Sequence, residues 1–251
     1  MRSLFPRPAD DLDLVEAYAI PTDAAVARPF VRCNMISTLD GAVTVNGRSA
    51  LLGGPADRRV FKLLRSLSDV VLVGSGTVRA EHYGPPRLHD HLRDLRVGRG
   101  QSPVPPMAIV TRSGNLDWST PLFTQAEQRP IVFTTEDGYE AAGPAATEVA
   151  ELVVAGDDTV GPLPVLEDLH ARGWRSVLLE GGPTLNADFV HAGLLDELCL
   201  TLSPRMVAGD GPRVLAGAEL PQALDLDLVH LLEEDGFLFL RLTVRSERNA
   251  T

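Results

Sequence analysis

The stretch LLEGGPTLNADFV, Leu178 to Val190, decides how the chain is read. On its upstream side WRSVLLE, Trp174 to Glu180, has the composition of a buried strand. Downstream, Leu185, Phe189 and Val190, then Leu194 and Leu195, recur three to four residues apart, which is one face of a helix. Pro183 suits the first helical position, where its missing N–H costs nothing. The unit is strand, Gly-Gly turn, helix. Glycines at such a turn admit close backbone approach, and the unpaired N–H groups of a first helical turn attract anions. Gly181, Gly182, Pro183, Thr184 and Leu185 therefore read as a phosphate cradle. Glu180, a carboxylate closing a buried strand, is costly there without a partner, so it reads as a site residue.

Working outward, the 251 residues suit one large domain or two small ones. A net charge of −11 argues against a general nucleic-acid or membrane-binding surface, so an anionic ligand needs a local basic pocket. Few aromatics exclude base-stacking platforms. Cys33 and Cys199 lie far apart inside apolar runs, without a CxxC pair, and read as buried thiols. No secretory h-region opens the chain and no 18-residue apolar run interrupts it, so the expected location is the cytoplasm.

The first 28 residues, acidic and punctuated by prolines, read as an extended arm with one helical turn. One domain is expected over 29–245, followed by a short tail, 246–251. PFVRCNMISTLDG (Pro29–Gly41) reads as a strand, LLGGPADRRVFKLLRSL as a helix with Val60, Leu63, Leu64 and Leu67 on one face, and DVVLVGSGTVRAE as a buried strand meeting a second Gly-rich turn. PMAIVTRSG, RPIVFTT and VAELVVAG add short apolar runs, whereas residues 84–106 read as a surface loop. DLDLVHLLEEDGFLFLRLTV carries a hairpin signal at Asp235-Gly236. Strands alternating with helices and closed by a hairpin predict an α/β domain with a mixed sheet, the first two apolar strands at its centre.

Several polar groups fall at strand ends. Gly74, Gly76 and Thr77 follow a strand directly, without the dinucleotide fingerprint GxGxxG and its downstream acid. Two Gly turns of this kind can hold a ligand with several phosphates. Arg112 and Ser113 follow the IV strand, where open α/β sheets bind ligands; an arginine suits a dianionic phosphate, and a plain solvated arginine in a turn competes with that reading. Asn34, Ser37, Thr38 and Asp40 end the opening strand, and Asp57 falls in the first turn of the next helix. For Asp40 a plain turn role, and for Asp57 a helix-dipole role, compete with ligand binding. His89 and His91 alternate along a polar segment without Cys, which points to solvent rather than metal. There is no GxSxG elbow and no Cys–His pairing to support a hydrolase.

Four segments in order, NMISTLDG, DVVLVGSGTVRAE, AIVTRSGNLD and LLEGGPTLNADFV, resemble the reductase domain of the riboflavin-biosynthesis pyrimidine reductases. The resemblance spans residues 29 to about 245. It implies a dihydrofolate-reductase-like fold, NADPH as cofactor and a homodimer. Residue by residue, it implies cofactor contacts from Thr77 and Glu81, a place beside the adenosine 2′-phosphate for Ser113, and pyrophosphate binding by Gly182 to Leu185. Glu180 is implied to face the substrate. The family's reaction reduces 5-amino-6-(5-phosphoribosylamino)uracil, hydride going to the former anomeric carbon. Two departures stand out. The HxE…PCxxC signature of the attached deaminase is missing, and the substrate loop reads AEHYGPPRLHD, with Glu81 for an aspartate and Arg87 as the candidate for the substrate phosphate. Asn34, Asp40, Asp57, Arg87 and Glu180 form the expected substrate set, with Glu180 and Asp57 as catalytic candidates and no metal. A pterin substrate gripped by Asp57, and a non-catalytic NADPH-binding regulator, are the alternatives.

Overall fold

The structure, a computed structural model, describes residues 1–21 and 27–245, so the expected tail lies outside the described residues. The strands are β1 (Arg2–Phe5), β2 (Phe30–Thr38), β3 (Val70–Gly74), β4 (Met107–Val110), β5 (Ile131–Thr134), β6 (Glu151–Val154), β7 (Ser176–Leu179), β8 (Glu197–Ser203), β9 (Leu226–Glu234) and β10 (Phe237–Val244). Between them run α1 (Leu14–Ala17), α2 (Pro55–Leu67), α3 (Ser75–Glu81), α4 (Asp90–Val97), α5 (Pro121–Thr124), α6 (Glu136–Val149), α7 (Pro162–Ala171) and α8 (Pro183–His191).

All ten strands join one sheet in the order β1-β9-β10-β8-β2-β7-β3-β4-β5-β6. From β8 to β6 every neighbouring pair is parallel, and β10, β9 and β1 add antiparallel pairs at one end. This is the mostly parallel mixed sheet with a C-terminal hairpin that the sequence predicts. β2 and β3 are central, with β7 inserted between them.

Successive side chains of a strand face opposite ways, so a strand buried on both faces feeds two cores. In β3, Val71 and Val73 pack with Val60, Leu63, Leu64 and Leu67 of α2, while Val70 and Leu72 pack with Leu166 and Leu169 of α7 and Phe189 of α8. α2 begins at Pro55, the favoured first position, and turns its apolar stripe inward. α6 breaks at Gly143 (φ 70°), just before Pro144.

Two expectations need correction. Residues 84–106 are not all loop, because they contain α4, whose Leu92 and Arg96 are buried. Arg96 donates from Nε to the Ser102 carbonyl at 2.7 Å and from Nη1 towards the carbonyls of Arg65 and Ser68. It thereby serves acceptors that the C-terminal turn of α2 leaves without intrahelical donors. The arm is also more than an extended segment. β1 pairs with β9, α1 follows, and Tyr18 is buried against His230, ring centroids 4.7 Å apart. The carbonyls of Ala17, Tyr18 and Ala19 accept from Arg241 and Arg32, whose guanidiniums both pair with the buried Glu197.

Candidate active site

β7 ends opposite Cys33, but β2 continues to Thr38. Beyond Cys33, β2 therefore has β8 on one side and no strand on the other. A cleft of about 450 Å³ opens at this step. Asn34, Met35 and Ile36 line it from β2, Asp57, Arg58, Phe61 and Arg65 from α2, and Thr77 and Glu81 from α3. Tyr83, Glu180, Gly182 and Pro183 complete its wall. This lies at the carboxyl ends of parallel strands, where open α/β sheets place ligands.

The two glycine turns, more than a hundred residues apart in sequence, meet here. The Gly74 N–H donates to the Gly181 carbonyl at 2.7 Å. A Cβ on Gly182 would stand 2.7 Å from Thr77 Oγ1, and Gly181 has φ +84°, which glycine adopts readily. Gly76 faces open space. Pro183 and Thr184 begin α8, while Leu185 turns into the core between α8 and the sheet. One concave backbone surface thus runs from α3 to the start of α8 along the cleft.

Glu180 lines the cleft but has partners already. Arg65 donates to it twice, Nε to Oε1 and Nη2 to Oε2, both at 2.7 Å, and the Tyr83 hydroxyl donates to Oε2 at 2.8 Å. The Arg65 guanidinium lies 4.2 Å from the Phe61 ring centroid; burial works against its charge, but the Glu180 carboxylate beside it more than offsets this and holds it charged. Asp57 has a different environment. Among the described residues no Lys or Arg forms an ion pair with it; burial raises its carboxyl above the ordinary value, against the pull of its hydrogen-bonding neighbour Thr201 and of Arg58. The dipole argument alone expects a readily ionised group, so desolvation reverses the direction.

Other sequence candidates fall elsewhere. Asp40 does not line the cleft: it accepts from Thr38 and from the backbone N–H groups of Val207 and Ala208, the latter at 2.7 Å, and so anchors a turn. Arg87 is exposed and also outside the lining, because the chain between α3 and α4 carries it away. Arg112 and Ser113 are exposed just past β4, next along the sheet from β3, with the Arg112 carbonyl accepting from Thr135 Oγ1 at 2.9 Å. Glu81 accepts from the backbone N–H of Ser49, which draws the segment before α2 over the cleft. His89 and His91 are exposed, and His89 Nε2 is 3.1 Å from Lys62 Nζ. Among the described residues no group of three or more His, Cys, Asp or Glu is placed to hold a metal, and no helix is long and apolar enough to cross a membrane.

Arg58, Phe61, Arg65 and Tyr83 were not singled out by the sequence reading. For Arg65 the signal was faint: an arginine in the last turn of an amphipathic helix usually faces water, and its partner lies 115 residues away.

Residues 29–236 match the model of the family described as the RibD C-terminal domain. The 2,5-diamino-6-ribosylamino-4(3H)-pyrimidinone 5′-phosphate reductase of Methanothermobacter thermautotrophicus is 32% identical over 76% of this chain and 85% of the relative. The protein of the same name from Archaeoglobus fulgidus is 29% identical over 82% of this chain and 95% of the relative. Among solved structures, a pyrimidine reductase-like protein from Corynebacterium diphtheriae superposes with a TM-score of 0.79 at 26% identity, covering 87% of this chain and 93% of that one.

Proposed function

The chain belongs to the RibD C-terminal domain family, and from that premise we propose that it is an NADPH-dependent reductase of a ribosylaminopyrimidine 5′-phosphate in riboflavin biosynthesis. The observation that carries the reading is the meeting of the two glycine turns beside the cleft. Their close backbone approach leaves Gly76, Thr77 and the first turn of α8 facing a space suited to a pyrophosphate. Arg112 and Ser113 are proposed to take the 2′-phosphate that distinguishes NADPH from NADH. When bound, the dinucleotide supplies hydride. The protein's own groups orient the pyrimidine, exclude water and deliver a proton.

Arg58 replaces Arg87 as our candidate for the substrate phosphate, because it lines the cleft and Glu180 does not hold it. Asn34 remains a substrate contact in this proposal, and Glu180 a wall of the substrate site held in place by Arg65 and Tyr83. A pterin is the second reading. It is favoured by Asp57, a half-buried carboxylate beside Thr201 that could accept paired hydrogen bonds from an amidine-like ring edge.

We further propose a homodimer. Leu238 pairs with Leu202, Leu240 with Leu200 and Leu231, and Leu242 with Leu198. These leucines alternate with the buried Phe239, Arg241, Cys199 and Thr201, forming a half-exposed apolar sheet face that a second copy would cover. Two buried free thiols, Cys33 and Cys199, fit the reducing cytoplasm.

The test is NADPH oxidation by purified protein with the ribosylaminopyrimidine phosphate before and after ring deamination, and with dihydrofolate, side by side. Turnover of a phosphorylated pyrimidine is expected. Turnover of dihydrofolate alone would replace the leading reading with the second.

A further inference from the structure

Reduction of a C=N or C=O bond needs a proton as well as a hydride, and the cleft contains carboxylates in contrasting surroundings. Both oxygens of Glu180 are engaged by Arg65 and Tyr83, so it has no open geometry from which to deliver a proton. Glu81 is bound to the Ser49 backbone N–H. Asp57 opens from the first turn of α2 into the same cleft, with no ion-pair partner among the described residues. Its Oδ2 folds back so closely over Gly53, which also lines the cleft, that a Cβ there would lie 2.5 Å away.

We propose that Asp57 is the proton donor of the reaction, an assignment that rests on the reading of the site as a ribosylaminopyrimidine phosphate reductase. In the ring-opened substrate the former anomeric carbon is double-bonded to the exocyclic nitrogen. Hydride from the reduced nicotinamide dinucleotide adds to that carbon, the π pair moves to nitrogen, and nitrogen takes the proton from the Asp57 carboxyl. The products are a C–H and an N–H single-bonded pair, oxidised dinucleotide and the Asp57 carboxylate, which regains a proton from water at the cleft mouth. The groups facing Asp57 are Arg58 on its own helix and Thr201 on β8, with Asn34 and the closed Arg65–Glu180 pair along the cleft wall. Burial raises the carboxyl and is the largest influence on it, so more of it stays protonated near neutrality than in an exposed aspartate.

Asp57→Asn keeps the shape and removes the proton. Its kcat is expected to fall about 10²- to 10⁴-fold with NADPH affinity unchanged, because the dinucleotide cradle lies on α3 and α8. Wild-type kcat is expected to decline tenfold per pH unit above the Asp57 pKa, and Asp57→Glu to retain part of the activity with a shifted decline. A carboxyl-carbon NMR titration of the protein alone gives a reading independent of turnover: the signal lost in Asp57→Asn should titrate above the ordinary aspartate range. Unchanged kcat in Asp57→Asn, or an ordinary titration, overturns the donor assignment while wild-type turnover upholds the reductase reading. Absence of wild-type turnover on either phosphorylated pyrimidine overturns both.

Discussion

Arg65 and Glu180 carry opposite charges into a site where their side chains are 11% and 1% exposed. A buried pair of this kind gains little over an apolar pair but is expensive to break, since the remaining charge has lost its solvent. Arg65→Met should therefore destabilise the protein by about 3–5 kcal/mol in urea unfolding, with the Arg65→Met/Glu180→Met double variant recovering most of that loss. A double variant as weak as the single one would show that packing of the guanidinium between Phe61 and Tyr83 matters more than charge. His230 makes a second residue-scale prediction. Burial first, then the positive Arg241 beside it, pushes its imidazole from 6.5 down to about 4. Between those values the unfolded chain holds a proton that the folded one does not, so stability falls as pH drops through this window. At roughly 1.4 kcal/mol per pH unit the total approaches about 3 kcal/mol. His230→Phe should flatten the slope of unfolding free energy over that interval, and an unaltered slope would assign the acid sensitivity to other groups.

At the scale of elements, the site exists because two strand–turn–helix units lie on either side of the β3–β7 pairing. Each turn is weak alone, and together they form one surface because β7 enters the sheet between β2 and β3. The contact is close: a side chain on Gly182 meets Thr77 Oγ1, which is the end of a short rotatable group and can swing aside. Gly182→Val is therefore expected to keep its melting temperature within a few degrees while losing nucleotide binding in dye displacement or calorimetry. Recovery of affinity on adding Thr77→Ala would place the effect in the displaced threonine and not in blocked backbone approach. Gly114 shows the same economy of space at the neighbouring strand end. A Cβ there would come within 2.0 Å of the Gly138 carbonyl, so the turn holding Arg112 and Ser113 sits directly on the start of α6.

For the whole molecule, the uneven use of the sheet's surfaces is the main fact. The parallel part is covered by α2 on one face and by α7 and α8 on the other. The antiparallel end has its inner face covered in part by the arm, while the face bearing Leu200, Leu238 and Leu240 stays half-exposed. Leu240 is central to that face, with Leu200 and Leu231 opposite it on either side. Leu240→Arg should convert a dimer into a monomer, read by light scattering after size exclusion, because a charge at the centre of an apolar contact loses its hydration without a partner. A wild-type monomer at micromolar concentration would remove the dimer from the proposal.

The sequence by itself determined the strands from β2 to β7, the helices that open at Pro55 and Pro183, the mixed sheet with its Asp235-Gly236 hairpin, and the two glycine turns, because periodicity, helix starts and turn chemistry are local properties of the chain. It also marked Glu180 as a buried carboxylate in need of a partner, since burying charge has a known cost wherever it occurs. The tertiary structure decided which partner. Arg65 and Tyr83 lie 115 and 97 residues from Glu180, and no local pattern encodes such a meeting. It likewise separated Asp57 from Asp40, two acids that each follow a strand or begin a helix in sequence. One is drawn into the cleft and desolvated, whereas the other is satisfied by the backbone of Val207 and Ala208. Helix 90–97 went unread for a related reason: its fully buried residues are Leu92 and Arg96, with Leu95 half-buried beside them, and an arginine becomes a core residue only when another helix's carbonyls face it. Burial and pairing depend on what the rest of the chain brings to a side chain, and only the assembled sheet sets that.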